Sequence, residues 1–187
     1  MEKSHRRLVL AQADPGAARA PDRDKPDRDK PDRADAELVT LKQQVDEMLD
    51  REAIRQLPIS YAQYARTKNV DGLVGLYAKD ATFDVPENMG TQAGPCCGLE
   101  AIREALHAEL PRADPWPCVH SHYFEMLGNG CAHGFVYMEL RTGVEGLRVS
   151  HIGCYQDQYV KEDGVWKFRS RRLCAIPLPV APAGFDR

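Results

Sequence analysis

The chain has 187 residues, enough for one domain with a substantial core and an additional tail. Its formal net charge is -3 and its basic residues are scattered, which excludes the clustered positive charge of a nucleic-acid or anionic-membrane binder. Its apolar runs all fall well short of the roughly 18 residues that a membrane-spanning helix needs.

Residues 1–34 are predicted to form a disordered N-terminal tail. The stretch PDRDKPDRDKPDR holds only proline and charged residues, so it cannot bury enough apolar surface to offset its ordering entropy. The apolar patch LVLAQA is too short for a signal peptide, so none is expected. The folded domain is placed at residues 35–176. A Pro-rich C-terminal tail, 177–187, would cover a pocket mouth, pack on a neighbour or remain loose.

The 6 cysteines form no CxxC pair and have no zinc-like spacing. Most lie in apparent strands, where a free thiol behaves as a small hydrophobe. Cys96 and Cys97 are adjacent in a predicted loop, where a redox role is the alternative to a structural one. Free cysteines of this kind suit a reducing cytoplasm, which is the expected location. No metal or other cofactor is expected.

Three helices are predicted before the main group of strands. The first carries apolar residues at helical spacing from Leu38 to Leu57, and Pro58 is expected either to kink it or to begin a new helix. The stretch NVDGLVGLYAKDA predicts a short helix capped by Asn69 or Asp71. The strand ATFDVP follows it, and GLEAIREALHAEL then predicts another helix.

Four strand-like runs follow, joined by turns that contain GNG, GVEG and KEDG, each suited to a tight hairpin. Helices first and an antiparallel meander afterwards predict an α+β fold. The expected architecture is a cone-shaped roll, in which the N-terminal helices pack on a strongly curved mixed or antiparallel sheet and enclose a pocket.

Four sequence segments carry a resemblance: REAIRQL, VDGLVGLYAKDATFDVP, AIREAL and HIGCYQDQYVKEDGVWKFRSRRL. Their order along the chain resembles that of the SnoaL-like family of the nuclear-transport-factor-two-like superfamily. The resemblance covers roughly residues 48–173. Scytalone dehydratase, bile-acid dehydratase and ketosteroid isomerase have this cone fold. The resemblance implies an apolar pocket that works without metal or organic cofactor, although one fold hosts both enzymes and binding modules.

The resemblance also implies catalytic residues. In dehydratase-like relatives a helix Tyr is followed five residues later by an Asp, and a strand His partners that Asp. Here the Tyr falls on Tyr61, the Asp position on Arg66, and the His on His120, with His122 as the competing choice. Arg66 would either donate to an oxyanion in the pocket or lie in solvent near the end of its helix. His120 would be the base, or a structural or interface histidine.

Strict alternation would place His120 and His122 on one face of their strand. On a later strand Asp157 would either replace the missing carboxylate or accept hydrogen bonds from Arg171 or Arg172. The expected substrate-binding residues are Tyr64, Phe83, Trp116, His122, Met138, His151, Tyr155 and Asp157.

Two functions are carried forward. The first is a cofactor-independent lyase or isomerase that acts by general acid-base catalysis on an apolar, hydroxylated, aromatic or polycyclic molecule. It would dehydrate that molecule or cleave a carbon-carbon bond in a retro-aldol manner, for instance releasing formaldehyde; cyclisation is a further option. The second is a non-catalytic binding or carrier domain. The expected partners are a small apolar substrate and further copies of the chain, as a dimer or trimer, without nucleic acid or membrane.

Overall fold

The computed structural model describes residues 33–86, 94–142 and 148–176. The chain divides into two units, Met1–Thr40 and Leu41–Arg187. Of the first unit, the described part is the helical segment 33–40. Of the predicted N-terminal tail 1–34, residues 1–32 lie outside the described residues, and its last two residues belong to a helix that begins at Arg33. The predicted tail 177–187 and the GVEG turn within 143–147 also lie outside the described residues.

Helix α1 spans Arg33–Arg66 and runs through Pro58. Of the two alternatives predicted for Pro58, a kink or the start of a new helix, the second was wrong. Proline removes one backbone hydrogen bond from a helix interior, but Pro58 is itself buried in the stripe that also contains Ile54, Leu57 and Tyr61. Packing of that stripe therefore offsets the local cost.

The next elements follow the predicted order. Helix α2 spans Val70–Gly75, and the Asn69 side chain caps it by accepting from the Gly72 amide at 2.8 Å. Strand β1 is Tyr77–Asp84, and helix α3 is Leu99–Ala113. The dipeptide Cys96–Cys97, expected in a loop, is instead the short strand β2, which pairs antiparallel with β1.

The four strand-like runs are β3 (Pro115–Gly128), β4 (Cys131–Thr142), β5 (Arg148–Glu162) and β6 (Val165–Ile176). They form the predicted antiparallel meander, and β1 adds parallel to β6. The sheet order is β2-β1-β6-β5-β4-β3. Helices packed on this mixed, open sheet confirm the α+β class. No described helix is both long and apolar enough to cross a membrane.

Bulges break the alternation of side chains in several strands. In β3, Val119 pairs with Met138 but Ser121 pairs with Tyr137. His120, which lies between them, is therefore the extra residue. In β6, Phe168 pairs with Tyr159 but Ser170 pairs with Gln158, so Arg169 is extra. A bulge exchanges the two faces for all residues beyond it. These two positions decide which charged and titratable side chains face the core.

Replacement of Gly134 by alanine is expected to destabilise the sheet. A Cβ at Gly134 would lie against the Tyr123 carbonyl oxygen and 2.7 Å from the Phe124 Cβ, whereas one at Gly75 would meet nothing within 4 Å. We expect Gly134→Ala to lower the free energy of unfolding by about 1–3 kcal/mol. Gly75→Ala is the control and should change it by less than about 1 kcal/mol. Equal urea-unfolding midpoints for the two variants would contradict this.

Candidate functional site

An apolar cavity lies between α1, α3 and the sheet. Its volume is about 110 Å³, measured to the centre of a water-sized sphere. Most of its described lining residues are aliphatic or aromatic, and those with polar side-chain atoms are Tyr61, Tyr155, Glu109 and Cys96. The described residues that line it are Tyr61, Ala65, Phe83, Val85, Gly94, Cys96, Ala105, Leu106, Glu109, Leu110, Ala113, Pro115, Pro117, Leu140, Tyr155 and Leu173.

Two tyrosines from different elements meet in this cavity. Tyr61 belongs to the buried stripe of α1, and Tyr155 lies on the inward face of β5. Their ring centroids are 5.7 Å apart in an edge-on arrangement. Burial raises the pKa of Tyr61 and raises that of Tyr155 well above its ordinary value. Both side chains are therefore un-ionised phenols at neutral pH, able to donate a proton or a hydrogen bond.

Arg171 lies behind the two tyrosines and is fully buried. Its guanidinium carbon is 4.3 Å from the ring centroid of Tyr61, 4.1 Å from that of Tyr155 and 4.0 Å from that of Phe168. Its Nη1 has no hydrogen-bond partner among the described residues. Arg171 also lines a narrow gap beside the two tyrosines. Among the arginines whose burial is described, Arg171 is the one that is buried.

Asp157 is the partner of Arg171. Arg171 Nε donates to Asp157 Oδ1 at 2.9 Å, and Nη2 donates to Oδ2 at 2.8 Å. Burial opposes the charged guanidinium, but the Asp157 carboxylate outweighs it and holds the pKa of Arg171 above its ordinary value. Arg172, the other partner considered, lies 3.3 Å from Asp84 instead. Of the two roles open to Asp157, the structure therefore shows the structural one.

The polar network continues to His122. The Tyr159 hydroxyl donates to Asp157 Oδ2 at 3.0 Å, and His122 Nε2 lies 2.9 Å from that hydroxyl. Because the Tyr159 proton is used on Asp157, the His122 bond needs a proton on Nε2. Burial is the main reason that the pKa of His122 falls to about 4, with Arg171 and Arg55 lowering it further against the attraction of Asp157. His122 is thus neutral at pH 7.

His120 does not face the cavity. Its imidazole is about half exposed, and Nε2 lies 3.4 Å from Glu139 Oε1. The expectation that His120 and His122 share a face was wrong, because the β3 bulge between Val119 and Ser121 exchanges the two faces. His122 points inward with Phe124, whose ring centroid is 5.1 Å away.

Arg66 is exposed at the end of α1, with its guanidinium carbon 5.3 Å from the Trp116 ring centroid. Arg66 and Trp116 are absent from the described cavity lining. Of the three predicted catalytic residues His120, Tyr61 and Arg66, Tyr61 alone is in the described cavity lining, and Arg66 takes the solvent-exposed one of its two predicted positions.

The remaining predicted substrate-binding residues lie partly in the cavity lining and partly outside it. Phe83 and Tyr155 line the cavity, whereas Met138 lines the narrow gap beside Arg171. His151 is half-buried opposite Leu140, a lining residue, and its Nδ1 has no partner among the described residues. Tyr64 is half-buried and packs against the core without lining the cavity.

Sequence analysis missed two residues at this site. Arg171 was considered only as a partner for Asp157, because simple alternation does not show which of Arg171 and Arg172 faces inward. Glu109 was overlooked, although its spacing from Leu106 and Leu110 on α3 was a readable signal. The described residues contain no group of three or more His, Cys, Asp and Glu side chains that could hold a metal ion.

Removal of the buried guanidinium is expected to be costly. Arg171→Met leaves the Asp157 carboxylate buried without its cation, so the free energy of unfolding should fall by about 3–5 kcal/mol. The matched control is the neighbouring Arg172→Met, whose side chain is 64% exposed and should contribute at most about 1 kcal/mol. Denaturant unfolding of both variants measures the difference. Similar losses of unfolding free energy in the two variants would show that the buried pair contributes no more than the exposed one.

His122 is expected to make stability depend on pH. Its pKa is about 4 in the folded protein against 6.5 ordinarily, so the unfolded chain binds more protons between these values. Stability should therefore fall as pH drops from about 6.5 to about 4. His122→Gln should flatten this part of the stability curve, while the half-exposed His133→Gln should not. Urea unfolding at pH 7 and pH 5 tests this; parallel curves for wild type and His122→Gln would contradict it.

The chain is similar in sequence to a known enzyme. It is 28% identical over 142 residues to the gamma-hexachlorocyclohexane dehydrochlorinase of Sphingobium indicum. The aligned region covers 70% of this chain and 83% of that protein.

Solved structures share the fold. A nuclear-transport-factor-two-like protein from Novosphingobium aromaticivorans, with a cystatin-like fold, matches with a TM-score of 0.64 at 15% identity, covering 74% of this chain and 90% of that one. A candidate scytalone dehydratase from the same species matches with a TM-score of 0.58 at 17% identity, covering 77% and 99%. The family model of the SnoaL-like domain matches residues 46–172. The resemblance found in the sequence is thereby confirmed, and the chain belongs to the SnoaL-like domain family.

Proposed function

We propose that this protein is a cofactor-independent lyase that eliminates a small leaving group from an apolar, hydroxylated small molecule. The observation that carries the proposal is the cavity itself. Its walls are mainly apolar, yet they contain the phenols of Tyr61 and Tyr155. Apolar walls with a few placed polar groups are typical of small-molecule sites.

The two phenols suit an acid role. Their raised pKa values keep them protonated, so each can donate to an oxygen on which negative charge develops as a bond breaks. The guanidinium of Arg171 packs against both rings, and its pair with Asp157 holds it in place. Such preorganised donors stabilise a departing hydroxyl or an enolate without a metal.

The relatives support the same class of reaction. One is named a dehydrochlorinase of hexachlorocyclohexane, and a structural neighbour is a candidate scytalone dehydratase. The two names describe the loss of hydrogen chloride and the loss of water, both eliminations. Dehydration is therefore the preferred reaction for this chain, and retro-aldol cleavage is the alternative, since the same donors would stabilise the enolate it releases.

A binding or carrier role is the second candidate. It is favoured by one observation: the described cavity lining contains no imidazole, because His120 lies outside it and His122 bonds to Tyr159. A carrier would hold an apolar ligand through the same walls and the same hydroxyls without changing it.

The aldol of benzaldehyde and acetone is a suitable first probe, because dehydration yields an enone whereas retro-aldol cleavage returns benzaldehyde and acetone. We expect turnover by the wild type without added metal or cofactor. Tyr61→Phe and Tyr155→Phe should each lower kcat by about 100-fold, since each removes one donor. Tyr137→Phe is the control, because Tyr137 is 52% exposed on the sheet.

Mass spectrometry of the products, with hydroxylated diaryl compounds, steroids, aromatic polyketides and gamma-hexachlorocyclohexane as further probes, identifies the bond broken. Tight binding with every compound recovered unchanged would reject the lyase and favour the carrier. Full activity in both phenylalanine variants would reject the acid role of the tyrosines.

The predicted homo-oligomer, dimer or trimer, stays a prediction. Tyr137 and Ile152 are exposed on the outward side of the sheet, where a neighbouring copy would cover them. Light scattering on the purified protein measures the number of subunits.

A further inference from the structure

Two cysteines lie opposite each other on the outward side of the sheet. Cys154 of β5 and Cys174 of β6 are directly paired in the antiparallel register. The next pair in that register, Tyr155 and Leu173, is buried and lines the cavity. Because side chains alternate along a strand, the two thiols lie on the opposite face of the sheet from that cavity. Both thiols are free and half-buried.

The outward face around the two thiols is open to solvent. Gln156 and Arg172, which form the outward pair next along the same two strands, are exposed. Tyr137, which pairs with Cys154 from the β4 side, is exposed as well. A small solute can therefore approach the two thiols from this side of the sheet.

The strand register fits a disulfide between the two cysteines. Directly opposed residues of an antiparallel pair have Cα atoms about 4.5 or 5.5 Å apart, and disulfides join residues whose Cα atoms are about 4.4–6.8 Å apart. The two side chains leave the sheet on the same face, and the Cys154 thiol hydrogen-bonds to Cys174. The other four cysteines all have partners other than cysteine in the described strand register.

We propose that Cys154 and Cys174 are a reversible redox pair, which a peroxide converts into a disulfide between β5 and β6. The thiolate of one cysteine attacks the peroxide, the O–O bond breaks, and a sulfenic acid forms. The sulfur of the other cysteine attacks the sulfenic sulfur, so that the S–S bond forms and the S–O bond breaks. The two thiols lose two electrons and two protons, and one hydrogen peroxide becomes two molecules of water.

Cys174 is assigned as the sulfur that attacks the peroxide. Burial, followed by the interaction with Cys174, raises the pKa of the Cys154 thiol. Cys154 therefore keeps its proton and donates a hydrogen bond to the Cys174 sulfur. Such a donor stabilises the Cys174 thiolate, which is the nucleophilic form of a cysteine. Cys154 then completes the disulfide in the second step.

The disulfide would restrain one wall of the cavity. Tyr155 and Leu173 are the chain neighbours of the two cysteines and line the cavity from the inward face. A covalent link between the cysteines holds β5 and β6 together at this wall. The link also restricts the unfolded chain, so the oxidised protein should unfold at a higher urea concentration than the reduced protein.

The test treats the reduced full-length protein with hydrogen peroxide and needs no enzymatic activity. Remaining thiols are blocked with N-ethylmaleimide, and peptides are mapped by mass spectrometry without reduction. We expect a linked peptide pair that contains Cys154 and Cys174, a loss of two free thiols per chain, and recovery of both with dithiothreitol. Cys131→Ser is the matched control: Cys131 is half-buried on β4 opposite Gly128 and Val160, so this variant should form the same disulfide.

Single variants test the assigned order. In Cys154→Ser, dimedone, which traps sulfenic acids, should label Cys174, whereas Cys174→Ser should show little label on Cys154. Equal labelling would overturn the order. Peroxide that oxidises the exposed Cys97 without linking Cys154 to Cys174 would overturn the redox pair. Equal urea midpoints for the linked and reduced proteins would overturn the restraint on the cavity wall.

Discussion

The buried pair of Arg171 and Asp157 is the interaction on which the interior depends. Taking two charges out of water is costly unless their hydrogen bonds are well satisfied. Here two guanidinium nitrogens meet both carboxylate oxygens, and three aromatic rings surround the guanidinium. The pair joins β5 to β6, and its contact with Tyr61 extends the interaction to α1. The position of one cavity wall is thus tied to this ion pair.

The ion pair in turn depends on a strand irregularity. Continued from Phe168, strict alternation along β6 would direct Ser170 and Arg172 inward. The extra residue Arg169 reverses this, so Arg171 shares the inward face with Phe168 while Arg172 is exposed. The β3 bulge has the same effect on its histidines and separates the exposed His120 from the inward His122. Each bulge adds one residue, yet each decides which group is buried.

The chemical character of the cavity follows from its surroundings. Burial keeps the phenols of Tyr61 and Tyr155 protonated, and His122, neutral at pH 7, is held in the network of Asp157 and Tyr159. Two protonated phenols, one from α1 and one from β5, therefore line a cavity whose other described walls are mainly apolar.

Apart from the short strand β2, the sequence by itself determined the element types, their order, the α+β class and the family. These follow from local signals: helical spacing of apolar residues, the Asn69 cap, and the Asn129-Gly130 and Asp163-Gly164 turns, whose positive φ angles the structure shows. It also limited Asp157 to two possible roles.

Tertiary structure alone decided which side chains reach the cavity. The continuity of α1 through Pro58, the short strand β2 and the choice of Arg171 over Arg66 depend on packing between distant parts of the chain. A one-residue bulge leaves almost no trace in composition or periodicity, yet it exchanges the faces of a strand. The fold could therefore be predicted from the sequence, whereas of the cavity lining the sequence predicted only Tyr61, Phe83 and Tyr155, and the other described lining residues were assigned from the structure.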